Sequence, residues 1–203
     1  MSDLAPEALV TLMKQAFDQL TEGRVEEAVE TFSTALAIEP HEAGALRGRG
    51  LAYLQLKRYS LATADFTAAR DLSPDESDNW VDLGISLAMD NKMYPAIDVF
   101  ETLLARQPEC VRGHLELGLL HLRLGAIPRG QAHLQKALAC RPTLEQRRLI
   151  ESTLHEQDTL DKKRYYRPDF EALHQQRQQQ PSLGLVSGVR KLLQRLRKHF
   201  SRE

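Results

Sequence analysis

A chain of 203 residues suffices for one or two ordinary domains or a single small repeat array. Hydrophobic residues make up 42% and charged residues 27%, which permits a packed core and excludes global disorder, while 6% aromatics favours helices packed through Leu and Ala over an all-β sandwich. The net charge of −1 conceals an asymmetry: residues 162–203 carry eleven Lys/Arg against three Asp/Glu, a balance of +8 that leaves −9 for the remainder.

The opening residues, Met-Ser-Asp-Leu-Ala-Pro, have no basic run followed by an apolar stretch, so no signal peptide is expected. No uninterrupted window of eighteen apolar residues occurs, so no membrane-spanning helix is expected. Cys110 and Cys140 lie thirty residues apart without CxxC spacing, which points to buried, reduced thiols in a cytoplasmic protein.

From residue 9 onward the chain repeats. Pro40, Pro74, Pro108 and Pro142 recur in step, about 34 residues apart. Twelve residues before each stands a small residue (Ala28, Ala62, Ala96, Gly130). Eight before stands a large apolar one (Phe32, Phe66, Phe100, Leu134), and five before come Ala35, Ala69, Leu103 and Ala137. A second pattern precedes these columns: Leu46 with Gly50-Leu51-Ala52-Tyr53, Trp80 with Leu83-Gly84, and Leu117-Gly118. Each unit therefore reads as two helices of about 14 residues each, joined by a tight turn. Proline ends each unit, since it cannot continue a helix. Gly50, Gly84 and Gly118 are expected to face Ala62, Ala96 and Gly130 so that paired backbones approach closely. Gly23, Asn91 and Gly125 fall in the turns, where a left-handed conformation suits Gly and is tolerated by Asn; Lys57 departs from that pattern.

These columns resemble the tetratricopeptide-repeat family over residues 9–142, about two thirds of the chain. The resemblance implies an all-α, right-handed solenoid of helical hairpins within residues 1–164, with units over about 9–42, 43–76, 77–110 and 111–142. The first unit is the weakest match, with Gln15-Ala16 where the others carry Leu-Gly, as a terminal repeat allows. After Pro142, Thr143-Leu144-Glu145-Gln146 fits a capping box and opens a capping helix over 143–164. Leu149, Ile150, Leu154 and Leu160 are expected to cover the last repeat, with Glu145, Arg147, Arg148 and Glu151 outward. A linker with a short helix is expected over 165–182. A basic amphipathic helix over 183–203 then places Leu185, Val189, Leu192, Leu193, Leu196 and Phe200 on one stripe, with Arg190, Lys191, Arg195, Arg197, Lys198 and Arg202 beside it.

No phosphate-binding, dinucleotide-binding, nucleophile-elbow or zinc-protease motif occurs, so no enzyme, metal or cofactor is expected. His114 and His121, two turns apart on one helix, are too widely spaced for a metal pair and read as packing residues; Trp80 occupies a family packing column.

In the family, the first helix of each unit lines a concave surface that holds a partner peptide. The helical period places Val10, Met13, Lys14 and Phe17 there, followed by Arg47, Leu51 and Leu54. Asp78, Val81, Asp82, Ile85 and Met89 come next, then Arg112, Leu115, Glu116, Leu119 and Arg123. The row Phe17, Leu51, Leu54, Val81, Ile85, Leu115 and Leu119 forms either an apolar docking strip or the packing between adjacent helices. Some family members clamp a chaperone's terminal carboxylate; the matching positions here are Met13, Phe17, Gly48, Asp78 and Asp82, and two acids replace the required cations. Asp78, Asp82 and Glu116 instead suit a basic or amphipathic ligand. The expected function is a protein-interaction adaptor or scaffold. The alternative is a peripheral membrane adaptor whose stripe over 185–200 meets an anionic surface, or docks into the chain's own groove as an autoinhibitor. Nucleic acid is disfavoured by the acidic body.

Overall fold

The computed structural model describes residues 4–165, in which every element of secondary structure is helical. In chain order these are α1 (Leu4–Thr21), α2 (Val25–Ile38), α3 (Ala43–Gln55), α4 (Tyr59–Leu72), α5 (Ser77–Met89), α6 (Met93–Arg106), α7 (Val111–Arg123), α8 (Ile127–Ala139) and α9 (Leu144–Tyr165). By its contacts the chain divides into two compact units, Met1–Leu154 and His155–Glu203. The first is a solenoid of four antiparallel hairpins, α1–α2, α3–α4, α5–α6 and α7–α8, capped by the start of α9. The linker expected after Arg164 and the basic helix expected over 183–203 lie outside the described residues, except that Tyr165 closes α9.

The repeat columns become the core. Ala28, Ala62 and Ala96, Phe32 and Phe66, and Ala35, Ala69, Leu103 and Ala137 are fully buried, and Phe100 is 1% exposed. One role differs from expectation. The atoms nearest a Cβ placed on Gly50 or Gly84 belong to the Phe66 and Phe100 rings, at 2.8 and 2.5 Å, not to Ala62 or Ala96. These glycines therefore seat an aromatic ring within their own repeat. Only at Gly118 do two backbones meet, with the Gly130 carbonyl 3.1 Å from such a Cβ. In the first repeat Ala16 fills the glycine position, and Phe32 lies instead over Gly48 of the next repeat.

All four hairpin turns share one geometry. Arg24, Arg58, Lys92 and Ala126 donate their amides to the carbonyls of Gln19, Tyr53, Leu87 and His121 at 2.8–2.9 Å, six-residue closures that require a left-handed residue between. That residue is Gly23, Lys57, Asn91 and Gly125, all at φ between 57° and 80°. The departure at Lys57 is thus one of residue type alone, and it carries the steric strain of a Cβ in that region. Lys57→Gly is expected to raise unfolding free energy by about 0.5–1 kcal/mol, the relieved strain exceeding glycine's extra chain entropy. An unchanged or lowered urea midpoint contradicts it.

The first helices of successive hairpins touch directly, α1 with α3, α3 with α5 and α5 with α7. They form one continuous face, behind which the second helices bind the hairpins together. At the end of the array, the capping box forms as expected: the Thr143 amide donates to Gln146 Oε1 at 2.9 Å, and the Gln146 amide to Thr143 Oγ1 at 3.3 Å. The lid is narrower than expected. Ile150 is fully buried and Leu154 half-buried against Leu115, Leu134 and Ala137, while Leu149 and Leu160 remain about half exposed. Neighbours on a helix point about 100° apart, and α9 turns Ile150 toward the last repeat and Leu149 away from it.

Candidate functional site

The face formed by α1, α3, α5 and α7 gathers most residues expected of a groove. Val10, Phe17 and Met89 are 69%, 40% and 51% exposed. Met13, Leu51, Leu54, Ile85 and Leu119 are half-buried, and Lys14 and Arg123 are exposed at the two ends. Two members of the expected apolar row do not reach the surface. Val81 is fully buried beside Phe100 and Leu103, and Leu115 is 5% exposed against Leu134 and Ile150. Val81 is packed among side chains of α6 and α7, and Leu115 among side chains of α8 and α9. Packing between helices is correct for this pair. Phe17 keeps an open face while its ring meets the buried Phe32 edge-on, with centroids 5.1 Å apart.

At the centre lies an ion-pair ring drawn from three repeats. Asp78 and Asp82 stand one turn apart on α5 and therefore on one face. From α3, Arg47 donates through Nε to Asp82 Oδ2 at 2.7 Å, and its Nη2 lies 3.1 Å from Asp78 Oδ2. From α7, Arg112 donates through Nη1 to Asp78 and through Nη2 to Asp82 Oδ1 at 3.2 Å. Asp82 is 3% exposed; both arginine side chains keep about a third of their surface in water. Burial opposes the charge on Arg112, yet Asp82 and Asp78 outweigh it and the guanidinium pKa is raised.

This ring alters the electrostatics expected of the groove. Three acids, Asp78, Asp82 and Glu116, were expected to attract a basic ligand and repel a carboxylate. The two aspartates are already matched by the two arginines, so neither faces the groove as a free charge. The Glu116 side chain makes no hydrogen bond or ion pair among the described residues and stands one turn along α7 from Arg112. Burial pushes its carboxyl pKa up, Arg112 opposes this and Asp82 adds to it. Of the five charged residues at the groove's centre, Glu116 alone lacks a protein partner among the described residues.

Trp80 is held as a packing residue: its Nε1–H donates to the Pro74 carbonyl at 2.8 Å, with the Arg70 and Arg106 guanidinium carbons 5.1 and 5.9 Å from the ring centroid. His114 and His121 are buried at 6% and 5%, and His133 of α8 joins them. The sequence reading overlooked His133, although the signal was present. It stands three residues after Gly130 and four before Ala137, on the stripe that α8 turns toward α7. No group of three or more His, Cys, Asp and Glu with a metal-holding arrangement occurs among the described residues. No helix among them is long and apolar enough to cross a membrane. The expected contact residues Leu185, Val189, Arg190, Lys191, Leu192, Arg195, Leu196, Arg197, Lys198 and Phe200 lie outside the described residues.

Comparison with known proteins agrees with this architecture. A peroxisomal targeting signal receptor from Candida albicans is 27% identical over 114 residues, which is 54% of this chain but only 19% of that receptor. The chain thus spans about a fifth of the length of the curated relative it matches. MamA from Desulfovibrio magneticus RS-1 superimposes with a TM-score of 0.60 at 21% identity, covering 65% of this chain and 75% of that one. The second tetratricopeptide-repeat domain of human RPAP3, solved in complex with the HSP70 peptide SGPTIEEVD, superimposes with a TM-score of 0.54 at 24% identity, covering 57% and 97%. The family model for the tetratricopeptide repeat matches residues 13–77 and 96–145, more than half of the sequence. With the constant repeat period, the four left-handed turns and the stacked hairpins, this establishes that the chain belongs to the tetratricopeptide-repeat family.

Proposed function

We propose that this protein is a non-catalytic adaptor whose concave face holds a partner segment presenting an apolar stripe and a basic side chain. The observation that carries the reading is the combination of an apolar row, with Phe17 and Met89 exposed and Leu51, Leu54, Ile85 and Leu119 partly buried, and one carboxyl, Glu116, without an ion-pair partner among the described residues, beside a self-neutralised ion-pair ring. Burying such a row releases water over a large area, while a cation placed against a carboxyl that burial disfavours in its charged form offsets that desolvation. A helix or an extended strand meets these demands by repeating apolar anchors along one side. The protein-binding reading draws support from a domain of the same fold that is solved with a bound peptide, human RPAP3, and from the targeting-signal receptor matched over part of its length. An acidic C-terminus of the chaperone kind suits this face poorly, because Met13, Phe17 and Gly48 offer it no charge and the nearby cations, Arg47 and Arg112, are already engaged by Asp78 and Asp82.

Photo-crosslinking tests the surface whatever the partner proves to be. A benzoyl-phenylalanine placed at Leu51 or Met89 is expected to trap one discrete species in cells. The same group at Tyr94, which is 75% exposed on the second helix of its hairpin, is expected to trap none. Equal trapping at the two positions rejects the concave face as the docking surface. Against the trapped partner, Glu116→Gln is expected to weaken binding about 5- to 10-fold, as loss of one partly desolvated charge pair. Unchanged affinity removes the basic side chain from the ligand's description and leaves the apolar stripe.

A further inference from the structure

The fourth repeat contains three histidine rings that the groove does not use. His114 and His121 project from α7, and His133 projects from α8 between them. The His133 ring centroid is 5.4 Å from that of His114 and 5.6 Å from that of His121, the latter pair stacked. His114 Nδ1 lies 3.1 Å from His133 Nδ1, and His114 Nε2 lies 2.9 Å from the carbonyl oxygen of Pro108.

The protons in this chain can be placed from its neighbours. A carbonyl only accepts, so His114 Nε2 must carry a hydrogen and donate to Pro108. The preceding repeat shows the same arrangement: Trp80, in the column of His114, donates Nε1–H to Pro74, the counterpart of Pro108. With Nε2 protonated, a neutral His114 accepts at Nδ1, and His133 Nδ1–H donates to it. One continuous run, from His133 to His114 to the Pro108 carbonyl, therefore ties α8 to α7 and to the end of α6. A proton added to either ring charges a group packed against a neighbouring imidazole. A second proton gives both Nδ1 atoms hydrogens across the same short gap and breaks the bond between them.

We propose that His114, His121 and His133 form a pH-sensitive latch that holds α7 against α8 at neutral pH and releases the fourth repeat on mild acidification. The groups around the latch favour release. Burial pushes all three rings below the ordinary histidine value of 6.5; His133 is pushed down to about 4, first by burial and then by His114, His121 and Lys136. Arg129, also of α8, lowers His121 further, and Glu101 of α6 opposes it. A cleft of about 520 Å³ between α6, α7 and α8, whose lining includes Glu101, His114, His133, Lys136 and Cys140, opens onto two of the rings, His114 and His133.

The direction follows from linkage. A histidine whose folded pKa lies below its unfolded value takes up protons on unfolding, so its neutral form contributes stability in full above about pH 6.5, and the contribution is lost as pH falls toward 4. Because α7 also carries Arg112, Glu116 and Leu119 to the concave face, the latch acts on the groove wall whether or not that groove holds a ligand.

Amide hydrogen exchange on the full chain, expressed as protection factors corrected for intrinsic rates, tests this directly. Between pH 7 and pH 5 the amides of α7 and α8 are expected to lose about 10-fold in protection relative to those of α3 and α4, a figure reduced for the partial exposure of His133. His133→Phe keeps a stacked ring that cannot titrate, and its loss is expected to stay below about 3-fold. If that variant fails to fold, a histidine ring NMR titration of the native chain decides. A His133 pKa near the ordinary 6.5, or equal protection ratios at the two pH values, overturns the latch.

Discussion

Phe100→Ala is expected to lower the unfolding free energy by about 3–5 kcal/mol, the usual range for emptying a buried aromatic site. Its ring is 1% exposed and lies against Gly84, Ala96 and Leu103 in the middle of the array, where no chain end can collapse into the space. The single tryptophan, Trp80, belongs to the same repeat and reports the transition in urea by fluorescence. A companion substitution tests the mechanism. Gly84→Ala places a methyl 2.5 Å from the Phe100 ring, an overlap expected to destabilise by about 1–3 kcal/mol. In the Phe100→Ala background the same methyl enters vacated space, so its penalty should largely disappear. An equal penalty in both backgrounds shows that the glycine is required for some reason other than the ring.

Asp82→Ala is expected to be the most damaging change on the first-helix face, at about 2–3 kcal/mol. Asp82 is 3% exposed and accepts from both Arg47 and Arg112, so its removal leaves two guanidinium groups with only the more exposed Asp78 as partner. Breaking a fully buried pair costs about 3–5 kcal/mol; the figure here is smaller because each arginine is about one third exposed and turns partly toward water. Asp78→Ala provides the contrast. Its side chain is 42% exposed and contacts the same arginines, so less than about 1 kcal/mol is expected. Urea midpoints measured in parallel compare the two. If they match, the ring behaves as surface ion pairs and Asp82 does not organise the face.

Both results bear on what a linear reading detects. The prolines at 40, 74, 108 and 142, the small and large apolar columns between them and the Thr143–Gln146 box act over a few residues, and local chain geometry translates them directly into helix ends and buried faces. The turn at Lys57 shows the limit of that reading: the bond from Arg58 to the Tyr53 carbonyl imposes the left-handed geometry whatever residue stands there. Likewise, the spacing of Gly84 marks close packing but not its object, since the nearest atoms are those of a ring and not of Ala96.

By itself the sequence determined the repeat, its family and the placing of two helices and a turn in each unit, because each follows from the spacing of the repeat. Only the tertiary structure decided which of the residues expected on the first-helix face remain accessible. Val81 is covered by side chains of α6 and α7 and Leu115 by side chains of α8 and α9, a matter of interhelical packing that no single helix encodes. It also decided the charge of the groove. Arg47 and Arg112 lie 35 and 30 residues from Asp82, and they meet it only because stacking brings three first helices within side-chain reach, neutralising the aspartates and leaving Glu116 alone.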